Sequence, residues 1–288
     1  MKTLDPMMDI VFKALFGRED KTSKKLLIGL LNDILEESQE DKIVDVIHMN
    51  PFNYKDFEGD KLSILDIKAK IGTGATINIE VQVRKEDNYR RRSLFYWAKT
   101  YGDTISEAED YDSLKKAIVI NILGYKEITE GNKLHNVFKI LEKDQHFILT
   151  DDLEIHYLEL PKLIKKEIED LDKIEMWLEF FKEAGREGNE ERINSLMERS
   201  EIMTTAMKKL EEISADEKMR ELYRAREKAR LDMVSKLRYA EKKGLEEGAI
   251  KKAKEMASEL LKDGMEVTLV AKYTKLGLEE IQEIKKKI

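Results

Sequence analysis

Over the first 35 residues apolar side chains recur at helical spacing. Met8, Ile10, Val11, Ala14 and Leu15, with Phe12 and Phe16 beside them, predict an amphipathic helix over 6–16, with Asp5 as its cap ahead of Pro6 and Gly17 at its end. Leu26, Leu27, Leu30, Leu31, Ile34 and Leu35 predict a second helix, capped at Ser23. The period then changes to two. Ile43, Val44, Val46 and Ile47 make a short β-type run stopped at Asn50-Pro51, and alternating runs follow over 62–71 and 75–83. Helical spacing returns over 89–109, where Phe95, Tyr96, Trp97 and Tyr101 read as core packing, and the apolar run 117–123 reads as a buried strand. Two more strands, 135–141 and 153–160, the second stopped by Pro161, extend the same sheet. A helix over 174–181 carries Met176, Trp177, Phe180 and Phe181, and beyond Gly185 the chain is charged and helical to about residue 262.

The runs 62–71 and 75–83 are joined by Gly72-Thr73-Gly74, a three-residue connection with glycine in the left-handed position of a tight hairpin. If Ile71 pairs with Ala75, Asp66 opposes Glu80, Lys68 opposes Asn78 and Ile64 opposes Gln82. Alternation then places Asp66, Lys68, Asn78, Glu80 and Gln82 on one face and Leu65, Ile67, Ile77, Ile79, Val81 and Val83 on the other. Two opposed carboxylates repel and need a cation between them, either Lys68 or a divalent metal. Paired carboxylates beside an amide form the hard-oxygen environment that suits magnesium or manganese.

Composition narrows the classes. The chain of 288 residues has no cysteine, which excludes disulfide scaffolds and thiolate metal sites and points to a reducing compartment. Neither a secretory signal pattern nor an apolar run of membrane-spanning length is visible, so a soluble cytoplasmic protein is expected, with no membrane partner. The net charge of -7 is unevenly spread. Residues 216–288 hold 19 basic and 15 acidic residues, a balance of +4 that leaves -11 for the rest, and 218–254 alone hold 13 against 6. His48, His135, His146 and His156 fall on different elements without ligand spacing and receive no role.

Asp66, followed after a hairpin by Glu80-Val81-Gln82 within an αβββαβ order, resembles the PD-(D/E)XK nuclease superfamily. More closely, the chain resembles the bacterial PD-(D/E)XK transposase family that includes the recombination-promoting nucleases. Further supporting stretches are Met8-Asp9-Ile-Val-Phe12-Lys13-Ala-Leu-Phe16-Gly17, Arg92-Ser93-Leu-Phe-Tyr96-Trp97 and Leu158-Glu-Leu-Pro-Lys162. The resemblance implies an α/β, restriction-endonuclease-like core with a mixed central sheet and an all-α C-terminal extension. It also implies a DNA endonuclease of mobile-element or recombination type that uses Mg2+ or Mn2+, with Asp66 and Glu80 as metal ligands at a splayed strand pair. The superfamily formula has proline where this chain has Leu65 and lysine where it has Gln82; glutamine is frequent at that position in the transposase-like branch.

Gln82 is then expected to orient the attacking water. Lys68 is either a salt-bridge partner or the group that stabilises phosphate charge. Asp9 is either a first-turn charge or an auxiliary acid near the metal, and Arg90 or Arg91 are candidate contacts to DNA phosphates. The expected divisions are a nuclease-like core over 1–165, a helical region over 166–262 and a small helix-turn-helix-like end over 263–288. The basic segment reads as a solvated helix braced by pairs such as Glu247 with Lys251, able to meet DNA, a partner or a second copy in a homo-oligomer. The alternative to an enzyme is a non-catalytic DNA-binding or assembly protein that keeps the nuclease fold.

Overall fold

A computed structural model describes residues 3–35, 42–49, 52–53, 63–64, 66–106 and 108–288, without the side chains of 52–53 and 63–64. Asn50, Pro51, Leu62 and Leu65, invoked above, lie outside the described residues. Contacts divide the chain into two units, one up to Tyr223 and one from Arg224.

The first unit begins with α1 (Asp9–Phe16) and α2 (Lys21–Leu35). Helix α1 starts later than the pattern predicts, because the Asp5 carboxylate accepts the Met7 N–H at 2.8 Å in a turn and Met8 is still extended. Asp20, rather than Ser23, caps α2: its Oδ1 accepts the N–H groups of Thr22 at 3.1 Å and Ser23 at 3.0 Å. Ser23 is buried inside the helix and donates its hydroxyl to the same carboxylate.

Strands β1 (Val46–Met49), β2 (Phe52–Asn53), β3 (Ser63–Ile64), β4 (Ile67–Ile71) and β5 (Thr76–Gln82) lead to α3 (Tyr89–Gly102), then to β6 (Ala117–Leu123), β7 (His135–Leu141) and β8 (Ile148–Glu159). Among the described residues a six-stranded sheet has the order β1-β4-β5-β6-β8-β7. Strands β5, β6 and β8 are parallel, while β1 and β4 at one side and β7 at the other run antiparallel to their neighbours. This is a mixed α/β fold of the expected core type, followed by helices α4 (Lys173–Glu183), α5 (Glu190–Arg199), α6 (Glu201–Ala215) and α7 (Glu217–Lys262).

The hairpin takes the predicted register. Ile67 pairs with Ile79 and Lys68 with Asn78, and Gly74 turns the chain at φ +89°. The run 62–71 is not one strand, however. It breaks at Asp66, and Ile64 pairs with Phe52 in a separate two-stranded sheet instead of opposing Gln82. The reason is local: Asp66 Oδ2 accepts the Val81 N–H at 2.9 Å, so a side chain takes a hydrogen bond of the kind that a neighbouring strand's carbonyl takes in a ladder.

One face of the sheet, carrying Ile67, Ile77, Ile79, Val81, Ile118, Ile120 and Ile122, joins the main core with α1, α2, α4 and α6. Phe12, Phe16, Trp177, Phe180 and Phe181 pack there edge to face and tilted, with ring centroids 4.8–6.3 Å apart. The indole of Trp177 donates to Asp33 Oδ2 at 2.9 Å, which satisfies its one polar atom. Helix α3 covers the other face, where Tyr89 packs with Val119, Leu123, Ile155 and Tyr157. Leu94 and Phe95 point outward from α3, which corrects the expectation that its aromatics are all core; Trp97 packs inward and stacks on Tyr101 at 5.2 Å.

The stretch Leu158 to Lys162 acts as a clamp on the loop after β6. Glu159 is fully buried, accepts the N–H groups of Glu127 at 2.5 Å and Ile128 at 3.0 Å, and pairs with Lys162 at 2.5 Å. Lys162 donates onward to the carbonyls of Ile128 at 2.7 Å and Gly131 at 2.9 Å.

In the second unit the end of α7 packs with α8 (Val267–Thr274) and α9 (Leu278–Lys286) around Ala257, Val270 and Ile281. Lys275, at φ +58°, makes the turn between the two short helices. Along α7, Lys242 pairs with Glu246 and Lys243 with Glu247, so Glu247 meets the preceding basic residue rather than Lys251.

Candidate functional site

The polar face of the hairpin is buried. Glu80 retains 7% of its surface, Lys68 6% and Asn78 none, because α3 lies over them. Burying polar and charged groups costs free energy unless each is paired, so the arrangement demands a compensating reason.

Asp66 and Glu80 meet at the point where β4 breaks. The Asp66 N–H donates to Glu80 Oε1 at 3.3 Å, while the Asp66 carboxylate receives the Val81 N–H on one oxygen and the Lys13 ammonium, at 3.1 Å, on the other. Burial pushes the Glu80 carboxyl up to about 8, and the neighbouring Asp66 charge adds to the shift; hydrogen bonding from the Asp66 backbone, Arg92 and Lys13 oppose it. Burial also raises Asp66, against the Val81 hydrogen bond and Lys13, with Asp9 adding repulsion.

Asp9 and Lys13 stand one helical turn apart on α1, so both project toward this corner. Lys68 lies elsewhere: its ammonium donates to Asp103 Oδ2 at 3.1 Å, at the far end of α3. Gln82 donates its amide N–H to Glu86 Oε1 at 2.7 Å, and Arg92 donates to the other oxygen of the same carboxylate. The Arg92 guanidinium also lies 4.6 Å from the Tyr89 ring centre and 5.9 Å from that of Tyr96. Both phenols are raised, first by burial and then by Glu80.

Of the two candidate arginines, Arg90 is committed to the loop clamped by Glu159: it donates to Glu130 at 2.7 Å, to Glu127 Oε1 at 3.3 Å and to the Glu127 carbonyl at 2.7 Å. Arg91 is exposed. Lys13, Glu86 and Arg92 escaped the sequence reading as site residues. Lys13 carried a usable signal, its i,i+4 spacing from Asp9, whereas Arg92 and Glu86 become site residues only through the turn between β5 and α3. His135 and His156 come together, 2.8 Å apart, and His156 reaches Glu154 at 3.1 Å. Burial and the neighbouring ring lower His135 to about 4.

The two carboxylates fit a divalent cation. They supply hard oxygen donors, burial raises both above their ordinary values, and magnesium takes one or two protein carboxylates with water and substrate phosphate completing its shell. Among the described residues no group of three or more His, Cys, Asp or Glu side chains is placed to hold a metal ion, and no helix is long and apolar enough to cross a membrane.

No curated protein and no solved structure matches the chain. A family model does, described as PD-(D/E)XK nuclease family transposase, over residues 6–240. The match runs from α1 through the carboxylate hairpin, the clamp and much of α7, and the six-stranded mixed sheet is consistent with it. The chain therefore belongs to the PD-(D/E)XK nuclease family transposases.

Proposed function

We propose that this protein is a divalent-metal-dependent DNA endonuclease of mobile-element or recombination type, with its reaction centre at Asp66 and Glu80. The observation that supports this most is the break of β4 at Asp66, where the Asp66 N–H reaches the buried Glu80 carboxylate and the partly buried Asp66 carboxylate reaches Lys13. Asp66 and Glu80 would hold the metal, magnesium or manganese, which would supply charge neutralisation at a phosphodiester and activation of a water. Gln82 directs its side-chain carbonyl at the water while its N–H₂ faces the substrate side. Lys13 offsets the negative charge of the carboxylates, and Asp9 adds an outer acid to the same corner. Lys68 braces α3 against β4 through Asp103, which leaves phosphate stabilisation to other cations. Arg91 contacts DNA phosphates, and Arg90 holds the clamped loop.

A second reading, a DNA-binding or assembly protein that keeps the fold without cutting, draws on one observation. The position two after Glu80 carries an uncharged amide already engaged with Glu86. Incubating the full chain with supercoiled plasmid, with and without magnesium, tests both. Magnesium-dependent relaxation or linearisation that vanishes in Asp66→Ala is the expected result. Equal cutting by Asp66→Ala would overturn the site, and binding without cutting under magnesium and manganese would favour the second reading.

A further inference from the structure

Next to the carboxylate pair, one side chain occupies an unusual position. Glu86 lies in the turn between β5 and α3, half exposed at 49%, and it binds nothing on its own element. Its two oxygens are divided between two donors: Oε1 takes the amide N–H of Gln82 at 2.7 Å and Oε2 takes the guanidinium of Arg92. Gln82 is two residues from Glu80 on the strand that carries it, and Arg92 acts electrostatically on Glu80 itself. A carboxylate gripped through both oxygens by a guanidinium and an amide presents the same acceptor pattern as two non-bridging oxygens of a phosphodiester.

Three features show that the donors, rather than Glu86, are the fixed part. Arg92 is held by Tyr89 and Tyr96, and burial, which by itself lowers its value, is outweighed by Glu86, Tyr89, Tyr96 and Glu80, so it stays charged. Its Nε–H is buried without a partner, a donor left over after Glu86 has taken its share. Gln82 is anchored by the final rung of β5 against Leu123 of β6. Glu86, by contrast, is a half-exposed loop side chain held by one ion pair and one hydrogen bond, each of a kind worth about 1 kcal/mol, so it can swing into water at modest cost.

We propose that Gln82 and Arg92 form a docking pair for a backbone phosphate of DNA, and that the Glu86 carboxylate occupies this pair as an internal stand-in until DNA displaces it. The inference rests on the reading of Asp66 and Glu80 as the reaction centre, and it adds the groups that grip the strand on the Glu80 side. An anionic phosphate brought close to two carboxylates requires donors that are already positioned, because forming them on arrival would cost side-chain entropy. Glu86 keeps them positioned in the free protein. It also sets a threshold, since a ligand must compete with an intramolecular carboxylate.

The test measures affinity without cutting. A fluorescently labelled 20-base-pair duplex is titrated with the full chain in calcium, read by anisotropy, for wild type, Glu86→Ala, Arg92→Lys, the Glu86→Ala/Arg92→Lys double variant and Asp87→Ala. Glu86→Ala is expected to tighten Kd by about 3–10-fold, a change of about 0.7–1.4 kcal/mol. Arg92→Lys keeps the charge but loses the fork, so it weakens binding, and in its background the Glu86→Ala gain shrinks to less than about 2-fold. Asp87→Ala removes an adjacent exposed acid and leaves Kd within about 2-fold. Unchanged or weaker binding by Glu86→Ala would overturn the proposal, as would a gain that persists with Arg92→Lys or one that Asp87→Ala reproduces. The outcomes separate from those of the cleavage assay: Asp66-dependent cutting with a neutral Glu86→Ala removes only the stand-in, while the expected affinity pattern without cutting keeps the phosphate pair and removes the nuclease reading.

Discussion

The two faces of β5 are equally buried and serve opposite ends. Ile77, Ile79 and Val81 face α1, α2 and α4 across a core of rings and aliphatic chains, where each contact adds stability and none carries charge. Asn78 and Glu80, one residue away in each case, face α3 in a buried polar layer, where the Asn78 amide donates to Thr100 but its oxygen has no partner among the described residues and the Glu80 carboxyl is driven up to about 8. An apolar side chain at position 80 would lower the cost of burial. That the chain instead keeps a carboxylate next to Asp66, against their mutual repulsion, is what the proposed reaction centre requires of this face.

The sharpest way to break this comparison is to exchange the consequences of the two faces. Asp66→Ala is expected to lower plasmid cutting by on the order of 10³-fold while costing no more than about 1–3 kcal/mol of stability, the penalty for leaving the Val81 N–H without its acceptor. Ile79→Ala should lose about 2–5 kcal/mol of stability in a urea titration, with cutting per folded molecule retained. A loss of stability in Asp66→Ala larger than that penalty would mean that the polar face is structural after all.

A second effect is the dependence on pH. Glu80 holds its proton up to about 8, so with scarce magnesium cutting should rise with pH through that value, and added magnesium should shift the rise to lower pH by competing with the proton. For stability the sign is reversed. The folded protein binds this proton more tightly than the unfolded chain, whose ordinary value lies near 4.5, so the associated stabilisation is complete below 4.5 and is lost as the pH climbs through about 8. Glu80→Gln escapes the loss, and at pH 9 without divalent metal its Tm should exceed that of wild type by about 2–4 °C.

Smaller effects refine the comparison. Lys13→Met removes the ammonium from Asp66 and should cut activity by about 10-fold, with the pH–rate profile displaced to higher pH because Asp66 then rises further. An unshifted profile would show that Lys13 only packs. Arg90→Ala should leave the salt dependence of DNA binding unchanged, since its fork is spent on Glu127 and Glu130. Arg91→Ala should reduce the slope of log K against log salt by about one.

Much of the site's framework was visible before folding was considered. Alternation on either side of Gly72-Thr73-Gly74 sufficed for the register, because a one-residue slip would turn Ile77, Ile79 and Val81 out of the core. The pairing of Ile64 was misplaced for the opposite reason. Apolar alternation continues through 62–71, and nothing in it announces that the Asp66 side chain accepts a main-chain hydrogen bond and ends the ladder. Lys68 looked like the nearest cation because it shares a face with Asp66, but a long side chain on a strand can reach along α3, and Asp103 drew it away. His135 and His156 fall on different elements without ligand spacing, and only the antiparallel pairing of β7 with β8 brings their rings together.

The sequence by itself determined the order of elements, the hairpin register and the face on which Asp66, Glu80 and Gln82 stand. Each of these follows from local periodicity and turn chemistry, which act within a few residues. Only the tertiary structure decided that this face is buried beneath α3, that the cation beside Asp66 is Lys13 of α1, and that Gln82 and Arg92 share one carboxylate. Those are meetings between side chains distant along the chain or across a turn, and they depend on how packed layers position charges whose strengths are set by burial.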